Sequence, residues 1–188
     1  MIESGGGRPS GGWLDALEVD AATAGASLRL ALYALILLQI GSMFPDIDQR
    51  LPFVPHRSAL THSALVPALL AIRLPAIGGL LAGGVAIHLV ADLLPEGWAG
   101  YALVKVPFLG PLGPDASWWF LLLNGLFALA LFLRTLGSDP AARSRRLLLG
   151  SFLAATAIVY FLFNEGYWPV LALVAVAGLV LWRLVKRQ

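Results

Sequence analysis

Residues 76–94 read AIGGLLAGGVAIHLVADLL, and this stretch decides the fold. Its first twelve residues are all apolar or glycine, and its only ionisable side chains, His88 and Asp92, come at its end. At 1.5 Å per residue, a helix of this length crosses roughly 30 Å of hydrocarbon. Glycine pairs at positions 78–79 and 83–84 predict close packing against neighbouring helices. We therefore expect a membrane-spanning helix that ends in two polar groups.

The rest of the chain has the same apolar character. Of its 188 residues, 59% are hydrophobic and 13% are charged, whereas soluble domains have about 25% charged residues. The mean hydropathy is +0.80. Further apolar runs occur at 24–44, 59–74, 117–136, 147–163 and 167–185. The composition excludes a water-facing globular domain and predicts an all-α, polytopic membrane helical bundle with about six transmembrane helices.

The polar segments divide the chain into three parts. Residues 1–23 form an N-terminal tail, whose second half is expected to lie on the membrane surface as an amphipathic helix. Residues 24–136 form a four-helix core that holds the candidate site, and residues 137–188 form a C-terminal helical hairpin. With six spans, most of the arginines and lysines outside the apolar runs fall on one side, which the positive-inside rule makes cytoplasmic. Both termini are then cytoplasmic, and the candidate site lies on the outer side.

Composition also limits the chemistry. The chain has no cysteine, so disulfides, thiolate metal sites and cysteine nucleophiles are excluded. A metal would need imidazole and carboxylate ligands. The net charge of +2 is explained by basic loops that orient a membrane protein, and no nucleic-acid partner is expected.

Ionisable residues from three separate stretches of the chain fall at the same predicted membrane face. His88 and Asp92 are four residues apart, so they share one side of a helix. Asp46 and Asp48 would point the same way in an extended turn, and His62 would lie in the first turn of a helix with Ser58 as a candidate N-cap. The predicted metal ligands are Asp46, Asp48, His56, His62, His88 and Asp92.

Each of these motifs is weak alone, because a lone histidine or a pair of aspartates usually has a structural role. Their convergence favours a bound cation, since ionisable groups in a membrane protein are costly without a partner. Zinc fits imidazole and carboxylate best, and manganese or another first-row divalent metal also fits. Asp48 is also a candidate catalytic residue. Arg57 is expected either to hold a phosphate bidentately or to anchor at the headgroups, and Glu96 to act as a general base, a ligand or a solvated loop residue.

In these motifs the sequence resembles the YdjM-like family of bacterial inner-membrane, metal-dependent hydrolases. The shared pattern is Pro-Asp-x-Asp, His-Arg-x-x-Thr-His-Ser and His-x-x-x-Asp. Here it begins at Pro45, at His56 and at His88, with one extra residue before Thr61. The resemblance covers residues 30–115 and implies a hydrolase in a bacterial inner membrane. A looser similarity to zinc-dependent phospholipase C favours cleavage of a phosphoester.

We therefore expect a divalent-metal hydrolase that acts on a membrane lipid or a lipid-linked phosphoester at the outer face. Two alternatives stay open. One is a transporter or metal-binding module, although few polar residues are expected at mid-membrane. The other is a structural subunit of a membrane complex, with a protein partner or a second copy of the chain docked on the last two spans.

Overall fold

The computed structural model describes residues 13–94, 103–137 and 143–164. The described chain is almost entirely helical, so the all-α prediction is confirmed. The elements are α1 (Trp13–Met43), a 3-10 helix (Pro45–Arg50), α2 (Leu65–Arg73), α3 (Pro75–Asp92), β1 (Lys105–Val106), β2 (Gly110–Pro111), α4 (Pro114–Thr135) and α5 (Arg143–Asn164). Residues 13–23, predicted to include a separate interfacial helix, form the first turns of α1.

Helix α3 is the centre of the bundle, and α1, α2, α4 and α5 all pack against it. The backbones of α1 and α3 lie in close contact. A Cβ atom at Gly84 would collide with the carbonyl oxygen of Leu38, and one at Gly41 would collide with the carbonyl oxygen of Leu81. The predicted role of the glycines in close helix packing is thus confirmed. It leaves α3 almost completely buried from Gly78 to Asp92.

Three helices among the described residues are long and apolar enough to cross a membrane. They are Pro75–Asp92, Pro114–Thr135 and Arg145–Phe163, and a shorter apolar segment, Leu28–Met43, ends α1. Large apolar side chains of these helices remain exposed, including Ile36, Leu126 and Phe163. The predicted last span, 167–185, lies outside the described residues.

The predicted span at 59–74 is not a continuous helix. Residues 59–64 form turns, and α2 has only nine residues, about 14 Å at 1.5 Å per residue. The sequence explains the late start, because the Ser58 Oγ accepts the Leu60 N–H and the Ser63 hydroxyl donates to the Leu60 carbonyl. Such local bonds compete with helix formation. Ser58 is therefore not an N-cap, and His62 precedes α2 instead of lying in its first turn.

The two ends of the bundle differ in character. Helices α1 and α3 both end where the candidate site lies, whereas Arg73 and Arg134 end α2 and α4 at the opposite end. At the site end, the short hairpin of β1 and β2 fastens the loop between the 3-10 helix and α2. The Lys105 N–H donates to the Arg57 carbonyl at 2.8 Å, and the Ala59 N–H donates to the Lys105 carbonyl at 2.8 Å.

Candidate metal centre

Three buried atoms from two segments of the chain converge at the end of α3. The Nε2 atom of His88 lies 3.4 Å from the Oδ2 atom of Asp92, and the Nε2 atom of His62 lies 3.5 Å from the same oxygen. Both distances exceed the usual 2.7–3.2 Å of an N–H···O hydrogen bond. Among the described residues, none of these three atoms has a hydrogen-bond partner. The predicted convergence of His62, His88 and Asp92 is what the structure shows.

The hydrogen-bond partners of His88 determine which of its ring nitrogens carries no proton. Its Nδ1 lies 2.9 Å from the Ser42 carbonyl oxygen, an atom that can only accept a hydrogen bond, so Nδ1 carries the proton. The Tyr160 hydroxyl lies 2.8 Å from the same nitrogen. In the neutral ring the Nε2 lone pair therefore points at Asp92.

The His62 ring is likewise contacted at its Nδ1 atom, and its Nε2 atom faces Asp92. Its Nδ1 lies 3.4 Å from the Oδ2 atom of Asp48 and 3.2 Å from the Thr61 hydroxyl. Burial lowers the pKa of His62 to about 4, against the opposing pull of nearby carboxylates, mainly Asp92. The ring is thus neutral near pH 7, with its proton on Nδ1 and its Nε2 lone pair turned towards Asp92.

With both rings neutral, two imidazole nitrogens and one carboxylate oxygen therefore face one another in a buried space with no donor among them. Each buried acceptor left without a donor costs about 1–3 kcal/mol, so a cation at this point relieves a large penalty. Tetrahedral zinc, with bonds of about 2.0–2.2 Å, places its ligand atoms roughly 3.3–3.6 Å apart. The observed separations of 3.4 and 3.5 Å match that spacing.

Asp46 adds a fourth candidate ligand atom, an oxygen, from the open side of the cluster. Its Oδ1 lies 4.0 Å from the Nε2 of His88. Asp46, His62 and His88 each present a ligand atom within 4.8 Å of the other two, so these three residues are able to hold a metal ion. The Asp46 side chain is 43% exposed, in contrast to 3% for His88. Its Oδ1 also accepts a hydrogen bond from Gln49 at 2.8 Å.

Asp48, predicted as a ligand and a catalytic residue, lies behind His62 and not among the converging atoms. One of its oxygens accepts hydrogen bonds from the Ser58 N–H at 3.0 Å and from the Thr61 hydroxyl at 2.8 Å. Burial alone would raise the pKa of Asp48, but these bonds and His56 hold it below its usual value. A carboxylate behind a ligating imidazole is a common way of orienting the ring.

The different positions of Asp46 and Asp48 have a simple geometric cause. The prediction of an extended turn was wrong, because Pro45–Arg50 is a 3-10 helix. At three residues per turn, side chains two positions apart point in different directions. Asp46 therefore faces the cluster from the open side, while Asp48 is fully buried against the following loop.

His56 and Arg57 lie beside the cluster. The Nδ1 of His56 is 3.2 Å from the Oδ1 of Asp48, and its side chain is 45% exposed. Its ring centre is 6.3 Å from that of His62. Arg57 is close enough to Asp92 to interact electrostatically, and its φ of 63° places it in the left-handed region that costs a non-glycine residue roughly 1–2 kcal/mol. Glu96 lies outside the described residues.

Two contacts of His88 were not foreseen from the sequence. The Ser42 carbonyl is a backbone group in the last turn of α1, so no side-chain motif marks it. Tyr160 belongs to α5, in a segment predicted only as a span or docking surface. A tyrosine inside an apolar run was the available signal, since a buried hydroxyl usually has a hydrogen-bond partner.

No family model, no curated protein and no solved structure matches this chain.

Proposed function

We infer that this protein is a divalent-metal-dependent hydrolase embedded in a membrane, and that its substrate is a lipid or a lipid-linked phosphoester. One observation carries the inference. The buried Oδ2 atom of Asp92 lies 3.4 Å from the Nε2 atom of His88 and 3.5 Å from that of His62, and within the described part of the chain these three atoms have no hydrogen-bond partner. Zinc is the favoured metal for this set of nitrogen and oxygen ligands, and manganese or another first-row metal also fits.

The residues around the cluster divide into ligands and supporting groups. His62, His88, Asp92 and Asp46 would hold the metal, which would supply a water of lowered pKa and polarise the scissile group. Behind the ligands, Asp48 orients His62. The Ser42 carbonyl and Tyr160 orient His88.

The outer side of the cluster is where a substrate would bind. The Asp46 and His56 side chains are 43% and 45% exposed, so the site is buried on one side and open on the other. A catalytic metal site needs such an open position. Arg57, held beside the opening by the hairpin, is a candidate for binding a phosphate. The role of Glu96 in proton transfer stays a prediction.

The membrane setting rests on the exposed apolar faces of the long helices. We propose about six spans in a bacterial inner membrane, with both termini in the cytoplasm and the metal centre at the outer face. The basic residues at the opposite end of the bundle support this orientation, because positive charge favours the cytoplasmic side. The resemblance to YdjM-like hydrolases agrees with this proposal.

A second candidate function is a non-catalytic metal site in a subunit of a membrane complex or a transporter. The observation that favours it is the burial of His62 and His88, at 1% and 3% side-chain exposure, since structural metal sites are closed. A protein partner or a second copy of the chain would belong to this function.

The test is elemental analysis of the protein, purified without chelators, together with hydrolysis of phospholipid vesicles. We expect about one zinc per chain and metal-dependent release of a phosphorylated product. His88→Ala should lose both the zinc and the hydrolysis. Metal binding without hydrolysis of any phosphoester would select the second candidate. A wild-type protein that neither contains zinc nor takes it up would refute both functions.

A further inference from the structure

A cleft opens between α1 and α2, close to the metal centre. Its floor is α3, and its volume is about 110 Å³. Both α1 and α2 pack against α3, and the nine-residue α2 covers only part of the height of α3. The walls are formed by apolar side chains, including Ile40, Phe44, Val66, Leu70, Leu81 and Val85.

The cleft reaches almost to the candidate ligands. Phe44 is followed directly by Pro45 and Asp46, and Val85 precedes His88 by three residues, a rise of about 4.5 Å along the helix. Asp46 is also the half-exposed ligand on the open side of the centre. The cleft and the metal centre are thus neighbours along α1 and α3.

The chemistry of the walls selects the occupant. An apolar cavity of about 150 Å³ stays dry and takes hydrocarbon, because water there has no polar partners. The cleft opens at the surface of the bundle, where Ile40, one of its lining residues, is 50% exposed. In the proposed membrane setting, this side chain faces lipid tails.

We propose that this cleft holds the first methylene groups of an acyl chain of a membrane phospholipid whose phosphate lies at the metal centre. The assignment rests on the proposed function and specifies its substrate class. The observation that carries it is the closeness of the apolar cleft to the metal centre, since Val85 lines the cleft and His88 follows about one helical turn later on the same side of α3. Arg57 and Lys105 at the same end of the bundle add positive charge that suits an anionic headgroup.

The cleft selects by shape, since a lipid tail gains no hydrophobic free energy when it leaves one apolar environment for another. A side chain that fills the cleft should therefore remove the acyl chain without disturbing the metal ligands. Leu70 lines the cleft, whereas Leu69, on the same helix, lies outside it and is exposed. Leu70→Trp and Leu69→Trp are therefore a matched pair.

The experiment uses the full chain in phosphatidylcholine nanodiscs with a small fraction of phosphatidylglycerol carrying a photoreactive diazirine close to its ester. After illumination, mass spectrometry locates the label, and elemental analysis gives the zinc content of each variant. In the wild type we expect label on residues 40–44 and 66–70. Leu70→Trp should lower it roughly tenfold, the equivalent of about a dozen lost carbon–carbon contacts. Leu69→Trp should match the wild type.

If Leu70→Trp misfolds and loses zinc, a variant with a smaller increase in side-chain size still tests whether the cleft holds an acyl chain. Val66→Phe fills the cleft from the same wall, and Leu65→Phe, at an exposed position outside the cleft, is its control. Equal cleft labelling in Val66→Phe and Leu65→Phe would overturn the assignment. Label confined to the exposed faces of α4 and α5 would do so as well, and so would chain-to-chain cross-links at the cleft, which would mark a second copy as its occupant.

The experiment can refute the acyl site and the metal hydrolase independently of each other. A zinc-loaded protein without label in the cleft would refute the acyl site and leave the metal centre standing. A labelled cleft in a protein that binds no zinc would refute the metal hydrolase and the placement of the phosphate at a metal, and would leave only the acyl site.

Discussion

Replacing Asp92 with asparagine tests whether the cluster of His62, His88 and Asp92 binds a metal ion or is only a group of buried polar side chains. The substitution keeps the shape of the side chain but exchanges the Oδ2 position for an amide that can donate two hydrogen bonds. In the structure this position lies 3.4 Å from His88 Nε2 and 3.5 Å from His62 Nε2. Asp92→Asn should therefore supply donors to the Nε2 atoms of His62 and His88 and remove the buried one of the two carboxylate charges that a cation would meet.

The expected stability changes have opposite signs with and without metal. In the wild type, zinc at a thousandfold excess over its Kd adds about 4 kcal/mol, and at roughly 2–4 °C per kcal/mol for a chain of this size the Tm should rise about 8–16 °C. Asp92→Asn should show a much smaller rise, because Asp46 would remain as the anionic candidate ligand beside the two imidazoles. In chelator it should be at least as stable as the wild type, since satisfying buried acceptors gains about 1–3 kcal/mol.

The assay is thermal unfolding of detergent-solubilised protein, followed by tryptophan fluorescence with chelator and with added zinc. An equal zinc-dependent rise in Tm for both proteins would refute Asp92 as a ligand. A large loss of stability in the variant under chelator would show that a proton on an imidazole, and not a metal, compensates this cluster in the wild type.

Three further variants test the surroundings of the centre. Tyr160→Phe should keep the fold and weaken zinc affinity about tenfold, because it removes one of the groups that orient His88; competition with a chromophoric chelator measures this. His56→Gln should keep the full zinc content by elemental analysis, since the ring lies outside the converging atoms, and loss of zinc would make His56 a ligand. Gly84→Ala should destabilise the protein by about 1–3 kcal/mol through the clash with α1. Its control is Gly150→Ala, where a Cβ meets open space on α5 and thermal unfolding should show a gain of about 0.5–1 kcal/mol.

The parts of the site that follow from helical periodicity were predictable from the sequence. His88 and Asp92 share a face because they are four residues apart in a long apolar helix, and the structure places their side chains 3.4 Å apart. The glycines of α3 likewise predicted the close helix contacts. In both cases the residues lie on one regular helix, so their spacing in the sequence determines which side of the helix each residue faces.

The irregular segments between helices were less predictable. Whether Asp46 and Asp48 point the same way depends on two turns of 3-10 helix, which the short sequence Pro45–Arg50 does not distinguish from an extended turn. The segment 59–64 was expected to be helical because it begins the apolar run 59–74. Its actual form depends on Asp48, Lys105 and Asn124, which bond to it from elsewhere in the chain.

The close contact of α1 with α3 also explains why the metal centre lies at the end of both helices. The last carbonyls of a helix have no partner within it, and that of Ser42 is used to hold the Nδ1 of His88 at 2.9 Å. This bond forms only because Gly84 and Gly41 let the two backbones touch one turn earlier. A larger residue at position 84 would move the Ser42 carbonyl away from His88 and release its ring. The small residues of α3 therefore help to select the tautomer of the ligand as well as the packing of the bundle.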